Sequence, residues 1–167
     1  MSRRLVIAEK PSVAQAIGKA LGVTLRKDGY LEGDGTLISW CVGHLVELAD
    51  AAAYEERYKK WRREDLPILP DRWKYAVRGD KKKQLSILRT LMRRADVDTV
   101  INCCDAGREG ELIYPLVYDY SGITQPTMRL CISSMDDAAI REGFANLRPR
   151  VDYDSLSAAA PCPPLAA

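Results

Sequence analysis

Hydrophobic residues in this chain gather in short continuous runs that are separated by longer amphipathic or polar stretches. Three of these runs lie at Leu5–Ala8, Thr99–Cys104 and Met128–Ile132. Short apolar runs bounded by polar residues are typical of strands that are covered on both faces. The pattern therefore predicts three buried strands spread along the chain.

Weaker signals predict additional strands in the first half of the chain. Gly33-Asp34-Gly35 lies between Tyr30-Leu31 and Thr36–Val42, an arrangement that favours a hairpin. The polar, irregular stretch before Lys74–Val77 predicts a loop that leads into another short strand.

Apolar residues at helical spacing and terminal signals predict four helices. They cover Val13–Leu21, Lys81–Arg94, Glu109–Tyr120 and a segment from Asp137 to about Leu147. Ser12 followed by Gln15 has the form of a capping box at the start of the first helix, and Gly22 is placed to end it. The helix over Lys81–Arg94 would carry an outward basic face.

Predicted strands and helices alternate along the chain. Alternation of this kind implies an α/β fold with a mostly parallel sheet and helices on both faces, joined by right-handed crossovers. Ligands of such folds bind beyond the carboxyl ends of the strands. Glu9 and Asp105 each follow a predicted strand, so we expect both side chains at this edge of the sheet.

A length of 167 residues suits one domain, and a hydrophobic content of 47% is enough to build its core. No stretch approaches the roughly 20 apolar residues of a membrane-spanning helix, and the apolar run near the N-terminus is shorter than a signal-peptide core. These features predict a soluble cytoplasmic protein with no membrane partner. Because residues 157–167 are rich in Ala and Pro, we expect a domain over residues 1–155 and a separate tail over residues 156–167.

Five cysteines and one histidine give no support for a disulfide framework or a zinc site. The number of cysteines is odd, and the sequence contains no Cys-x-x-Cys pair. Free, buried thiols are the expected state, with the adjacent Cys103 and Cys104 as small apolar residues of a strand.

The net charge of +2 conceals a strongly basic segment. Arg57–Arg94 contains 14 Lys or Arg and 4 Asp or Glu, whereas the flanking regions are acidic. This distribution is typical of a protein that binds a polyanion and holds a metal ion with carboxylates, although solvated helix faces would show the same charge. Lys59-Lys60-Trp61-Arg62-Arg63 places an aromatic ring among cations, where the ring can stack on a nucleic-acid base or pack beneath the basic side chains.

The candidate chemistry lies at the two strand ends and not in a nucleotide-binding loop. No G-x-G-x-x-G motif follows the first strand, and Gly18-Lys19 lacks the remaining residues of a phosphate-binding P-loop. Glu9-Lys10 and the acidic segment Asp105–Glu111 remain. Their carboxylates suit Mg²⁺, which takes one or two such ligands together with water or phosphate oxygens.

The charged residues at these two strand ends have distinct candidate roles. Asp105 and Glu109 are four residues apart across a strand-to-helix turn and can share one ion. Lys10 can place a positive charge against a phosphate oxygen, and Arg108 can contact the backbone of the substrate. The alternative for Glu109 and Glu111 is a favourable interaction with the helix dipole, which needs no metal.

Several separated motifs of the chain resemble one known family. They are Glu9-Lys10-Pro11-Ser12, Gly43-His44-Leu45, Lys59-Lys60-Trp61, Leu66–Pro70, Lys81–Gln84, Asp105–Ile113 and Ile132–Met135. In this order they resemble the TOPRIM domain of type IA DNA topoisomerases, and most closely that of the bacterial topoisomerase III group, over about residues 5–155. The resemblance implies a Rossmann-like TOPRIM fold, cleavage and rejoining of single-stranded DNA without a nucleotide cofactor, and Mg²⁺.

The resemblance also assigns roles to individual residues. Glu9 would act in proton transfer at the 3′ oxygen close to a metal ion, and Lys10 beside it is the second expected catalytic residue. The family's D-x-D-x-E motif falls on Asp105, Gly107 and Glu109, so that Glu9, Asp105 and Glu109 would hold the metal. The resemblance and the charge pattern together lead us to expect DNA contacts from Lys60, Trp61, Arg62 and Arg108.

The chain departs from the family in two respects. Gly107 stands where the family has its middle aspartate, which removes one acidic position. The nucleophilic tyrosine of the family usually precedes an Arg-Thr pair, whereas Arg89-Thr90, the only such pair here, has no tyrosine before it. We therefore expect the TOPRIM part of a topoisomerase, inactive alone, whose remaining domains are absent. A self-contained TOPRIM nuclease and a non-catalytic nucleic-acid-binding module are the alternatives.

Overall fold

The computed structural model describes residues 2–149 except residues 61, 106 and 133, and it describes Arg108 and Glu109 by their backbone. The strands are β1 (Arg3–Ala8), β2 (Leu25–Lys27), β3 (Tyr30–Gly33), β4 (Thr36–Trp40), β5 (Val46–Leu48), β6 (Tyr75–Val77), β7 (Val97–Cys103), β8 (Thr127–Arg129) and β9 (Arg148–Pro149). The helices are α1 (Pro11–Leu21), α2 (Lys82–Met92), α3 (Arg108–Ser121) and α4 (Asp137–Ala145). The predicted boundary at residue 155 and the tail lie outside the described residues.

The described strands form a seven-stranded sheet in the order β2-β3-β4-β1-β7-β8-β9 and a separate two-stranded pair, β5 and β6. The central strands β4, β1, β7 and β8 are parallel to one another, whereas the edge strands join through antiparallel pairing. This arrangement confirms the predicted α/β fold with a mostly parallel sheet.

Helices cover both faces of the sheet. In β1, Leu5 and Ile7 belong to a hydrophobic cluster with α2 and α3, whereas Val6 and Ala8 belong to a second cluster with α1 and α4. Successive side chains of a strand point to opposite faces, so a strand between two helical layers must be apolar at every position. This requirement explains the continuous apolar runs in the sequence.

The start of α1 differs from the prediction. The helix begins at Pro11, with Lys10 in an extended conformation before it and no side-chain cap, so the predicted capping box of Ser12 and Gln15 is wrong. Proline suits the first helical position because its fixed φ matches the helix and no partner is needed for an amide proton. The end is as predicted, since Gly22 adopts the left-handed conformation with φ of 73°.

The predicted hairpin is confirmed, because β3 and β4 are antiparallel and Gly33 pairs with Thr36. Three short strands were not predicted, namely β2, β5 and β9. All residues of β2 and β9 are exposed, so no apolar run marks them in the sequence. No helix among the described residues is long and apolar enough to cross a membrane.

Candidate functional site

The carboxyl ends of β1 and β7 bring Glu9 and Asp105 together. The two strands are parallel neighbours in which Ala8 pairs with Cys103, so the residues that follow leave the sheet at the same edge. The Asp105 amide donates a hydrogen bond to Oε2 of Glu9 at 3.3 Å. Residues far apart in the sequence therefore meet as the strand pattern predicts.

Glu9 contributes a buried carboxylate, and the exposed ammonium of Lys10 lies beside it. The Glu9 residue is only 6% exposed, and its Oε1 lies 3.1 Å from Nζ of Lys10. The side chain of Lys10 is 58% exposed. The hydrogen bond with Glu9, then the charges of Glu9 and Asp105, raise the pKa of Lys10, so its ammonium remains protonated at neutral pH.

Asp105 opens the turn that leads into α3, and its side chain is exposed. Gly107 is extended, with φ of −134°, and a Cβ at this position would meet no atom within 4 Å. The missing acidic position is therefore an open one that a side chain can occupy. The side chains of Arg108 and Glu109 lie outside the described part, although their backbone forms the first turn of α3.

The metal site remains a prediction. Among the described side chains, no three of the types His, Cys, Asp and Glu lie close enough together to hold an ion. The backbone amide of Asp105 contacts the Glu9 carboxylate, and each of these two residues carries a carboxylate, a hard oxygen ligand of the kind that Mg²⁺ takes from proteins. The donor set at this edge thus fits Mg²⁺, with Glu109 as the third predicted ligand.

A buried arginine, which the sequence analysis missed, holds the end of β7. Arg129 is 2% exposed and donates hydrogen bonds to the carbonyls of Cys104 at 2.6 Å and Asp105 at 3.0 Å. Its Nη2 also lies 2.6 Å from Oε1 of Glu111. Glu111 is therefore a partner of Arg129 and not a metal ligand candidate. The sequence signal that could have indicated this buried side chain is an arginine inside the apolar run Met128–Ile132.

Gly110 allows α3 to pack directly on the acidic turn. A Cβ at Gly110 would lie 2.1 Å from the carbonyl oxygen and 2.9 Å from the amide nitrogen of Asp105. No side chain fits such a distance, so the glycine sets how closely the helix approaches the Asp105 backbone.

The adjacent thiols of Cys103 and Cys104, near this edge of the sheet, are neutral because their pKa values are raised. Cys41, Cys103 and Cys104 are buried as predicted, whereas the prediction is wrong for Cys131, which is exposed. A hydrogen bond with Cys41, together with burial, raises the pKa of Cys104, and burial raises that of Cys103. Neutral thiols are poor metal ligands, so Cys103 and Cys104 act as core side chains.

The predicted DNA-contact segment lies between β5 and β6. Lys60 and Arg62 are exposed, but Arg62 lies 3.6 Å from the carboxylate of Glu64, and the neighbouring Lys59 lies 2.9 Å from that of Glu56. Trp61 lies outside the described residues. The acidic neighbours thus partly neutralise this segment.

Comparisons with known proteins agree with the fold. The sequence-family model of the Toprim domain matches residues 4–134 of this chain. DNA topoisomerase 3 of Bacillus cereus (strain ATCC 10987 / NRS 248) is 48% identical over 160 residues, which are 96% of this chain and 22% of that protein. DNA topoisomerase 3 of Shouchella clausii (strain KSM-K16) is 42% identical over 160 residues, again 22% of its length.

A solved structure shows the same fold at low sequence identity. Full-length topoisomerase I from Thermotoga maritima superposes with a TM-score of 0.56 at 20% identity, covering 87% of this chain and 21% of that chain. This chain therefore spans less than a quarter of the length of these proteins.

Proposed function

The chain belongs to the Toprim family, and we propose that it is the metal-binding and proton-transferring part of a type IA DNA topoisomerase 3. Such an enzyme would cleave one DNA strand through a tyrosyl phosphodiester, pass another strand and reseal the break without ATP. The observation that carries the proposal is the meeting of Glu9-Lys10 with Asp105 at one edge of a parallel sheet.

Glu9 is the residue that would move a proton to or from the 3′ oxygen of the cleaved strand. The Asp105 amide and the Lys10 ammonium orient its buried carboxylate before any substrate binds. Lys10 is protonated and exposed, so its charge can stabilise the negative charge that accumulates on the phosphate.

Glu9, Asp105 and Glu109 would hold one Mg²⁺, which would supply positive charge next to the scissile phosphodiester when bound. Gly107 contributes no carboxylate, so one acidic position that could serve a second ion is missing. Arg108, in the first turn of α3, would contact the phosphate backbone, with Lys60, Trp61 and Arg62 as further contacts to single-stranded DNA.

The nucleophilic tyrosine would come from the part of the relatives that this chain does not cover. None of the eight tyrosines of this sequence precedes an Arg-Thr pair. The complete enzyme would act on DNA in the bacterial cytoplasm, and the present chain would contribute the acidic cluster and part of the DNA surface.

A chimaera tests the proposal. The matching segment of the Bacillus cereus relative is replaced by this chain, and relaxation of negatively supercoiled plasmid with Mg²⁺ is measured beside the unaltered relative. We expect the chimaera to relax DNA, and Glu9→Gln or Lys10→Ala to slow relaxation by about 100-fold or more. Lys19→Ala removes an exposed lysine from α1 and serves as the matched control.

Two outcomes would contradict the proposal. One is a folded but inactive chimaera beside an active unaltered relative. The other is full activity of both the Glu9 and Lys10 variants.

A further inference from the structure

A second basic surface lies between α2 and α3. It is an open groove of about 410 Å³ that we call the α2–α3 groove, and its floor includes the apolar Leu85. Its polar lining consists of Lys82, Ser86, Arg89, Thr90, Arg93 and Tyr120. No carboxylate lines this groove among the described residues, so its lining carries positive charge only.

The groove follows from the pattern of α2. Lys82, Ser86 and Arg89 are separated by four and three residues and therefore share one helix face. Leu88 and Met92, at other positions around the helix, are buried against the sheet. The packing of the apolar face of α2 against the core therefore determines the orientation of its basic face.

The cations of this groove are available to a ligand. Elsewhere in the basic segment, ion pairs join Lys83 to Asp28 at 2.9 Å and Lys59 to Glu56 at 2.9 Å. Within the described part of the chain, Lys82, Arg89 and Arg93 form no ion pair. No carboxylate among the described side chains therefore cancels their charges by direct contact.

Neighbouring groups hold the two arginines in place. Nε and Nη2 of Arg93 donate to the carbonyl of Ser121 at 3.1 and 2.7 Å. The guanidinium of Arg89 lies over the ring of Tyr120, 5.1 Å from its centroid. Arginines that are already ordered lose less conformational entropy when they bind an anion. Because Arg89 covers Tyr120, the groove favours contacts with phosphates over stacking on bases.

We propose that the α2–α3 groove binds the sugar–phosphate backbone of a single-stranded DNA segment, at a place separate from the strand-end site. That the polyanion is DNA rests on the proposed function. That the groove binds a polyanion rests on the charges of Lys82, Arg89 and Arg93 described above. Arg108 and Tyr120 lie at opposite ends of α3, about 18 Å apart at the usual rise per helical residue. One strand can therefore contact the two sites at different phosphates.

The chain itself, labelled with ¹⁵N, is titrated with a dT oligonucleotide at low salt, and amide shifts are followed by NMR. We expect shifts at the amides of residues 82–93 and 120. By fluorescence anisotropy, Lys82→Gln and Arg89→Gln should each reduce the salt dependence of binding by about 0.7 in the log–log slope, because each removes one phosphate contact. A dA oligonucleotide should bind with similar affinity if the groove contacts phosphates and not bases.

Lys83→Gln is the matched control, since it removes the same charge from the neighbouring position of α2, where the lysine is paired with Asp28. Equal effects of the Lys82 and Lys83 variants would overturn the inference, and so would shifts confined to the amides around Lys10 and Asp105. Absence of any DNA binding would also overturn it. The chimaera experiment decides the proposed function independently, since it depends on Glu9 and Lys10.

Discussion

At Gly110, the first part of α3 touches the backbone of Asp105 where no Cβ fits. We expect Gly110→Ala to push the helix away from the acidic turn and to lower the free energy of unfolding by about 1–3 kcal/mol, the usual cost of overpacking. Thermal unfolding measures the loss. Gly107→Ala is the control, because a Cβ there meets no atom within 4 Å. Equal stability of the Gly110 variant and the natural chain would show that this contact is not tight.

Gly107 permits a gain-of-ligand experiment. Its backbone is extended and open, so Gly107→Asp should be tolerated and add a carboxylate beside Asp105. We expect Mn²⁺, used as a probe for Mg²⁺, to bind more tightly to this variant and more weakly to Asp105→Asn, as measured by calorimetric titration. Unchanged Mn²⁺ affinity in the Asp105 variant would show that the metal site is elsewhere.

The ion pair between Arg129 and Glu111 is buried on both sides. Arg129→Met leaves Glu111 as a buried charge without its arginine, and removal of one partner of a buried pair typically costs about 3–5 kcal/mol. We expect a loss of this size in denaturant unfolding. The double variant Arg129→Met/Glu111→Leu should lose less, because no buried charge is left behind. A double variant as unstable as the single one would mean that the bonds from Arg129 to the backbone carbonyls dominate.

The sequence predicts that Glu9 and Asp105 lie together, but it does not predict the buried pair of Arg129 and Glu111 that supports the acidic turn. The two outcomes have different physical reasons. Glu9 and Asp105 follow apolar runs, so the rule for parallel sheets places them at one edge without further knowledge of the fold. The pairing of Glu111 with Arg129 instead depends on how α3 and β8 are packed, which no periodicity encodes.

The same distinction holds for whole elements. β1, β7 and the helices that cover them were predicted because burial on both sides leaves a strong pattern in the sequence. The exposed edge strands β2 and β9 exist because neighbouring strands offer them hydrogen bonds, a tertiary effect that outweighs their polar composition. Pro11 similarly serves as the first residue of α1, where a side-chain cap had been predicted.

The contributions of base stacking and of charge can be separated in the segment that contains Lys59, Lys60, Trp61 and Arg62. Trp61→Ala should weaken binding of single-stranded DNA by roughly 1–3 kcal/mol if the ring stacks on a base, with little change in the salt slope. Lys60→Ala should instead lower that slope by about 0.7, because it removes a phosphate contact. Anisotropy titrations at several salt concentrations separate the two effects. Equal losses accompanied by lower thermal stability would identify Trp61 as a packing residue.

The positive charge of the molecule is not spread evenly over the basic segment Arg57–Arg94. Surface carboxylates pair with Arg57, Lys59 and Lys83, whereas the groove cations Lys82 and Arg89 form no ion pair with a described residue. The net charge of +2 therefore understates how strongly one face attracts a polyanion. The acidic strand-end site lies on the same α/β scaffold, where Glu9 and Asp105 follow neighbouring parallel strands.

The chain alone should bind DNA without changing its topology. Covalent cleavage needs a tyrosine that attacks the phosphodiester, and no tyrosine of this sequence has the Arg-Thr context of the family nucleophile. We expect the purified chain with Mg²⁺ to leave supercoiled plasmid unrelaxed, to form no covalent adduct with a labelled oligonucleotide in denaturing electrophoresis, and to release no cleaved product. An adduct through a tyrosine would contradict the assignment of the nucleophile to the uncovered part of the relatives. Hydrolysis that is lost in Asp105→Asn would instead identify a self-contained Toprim nuclease, because the same carboxylates would then activate water.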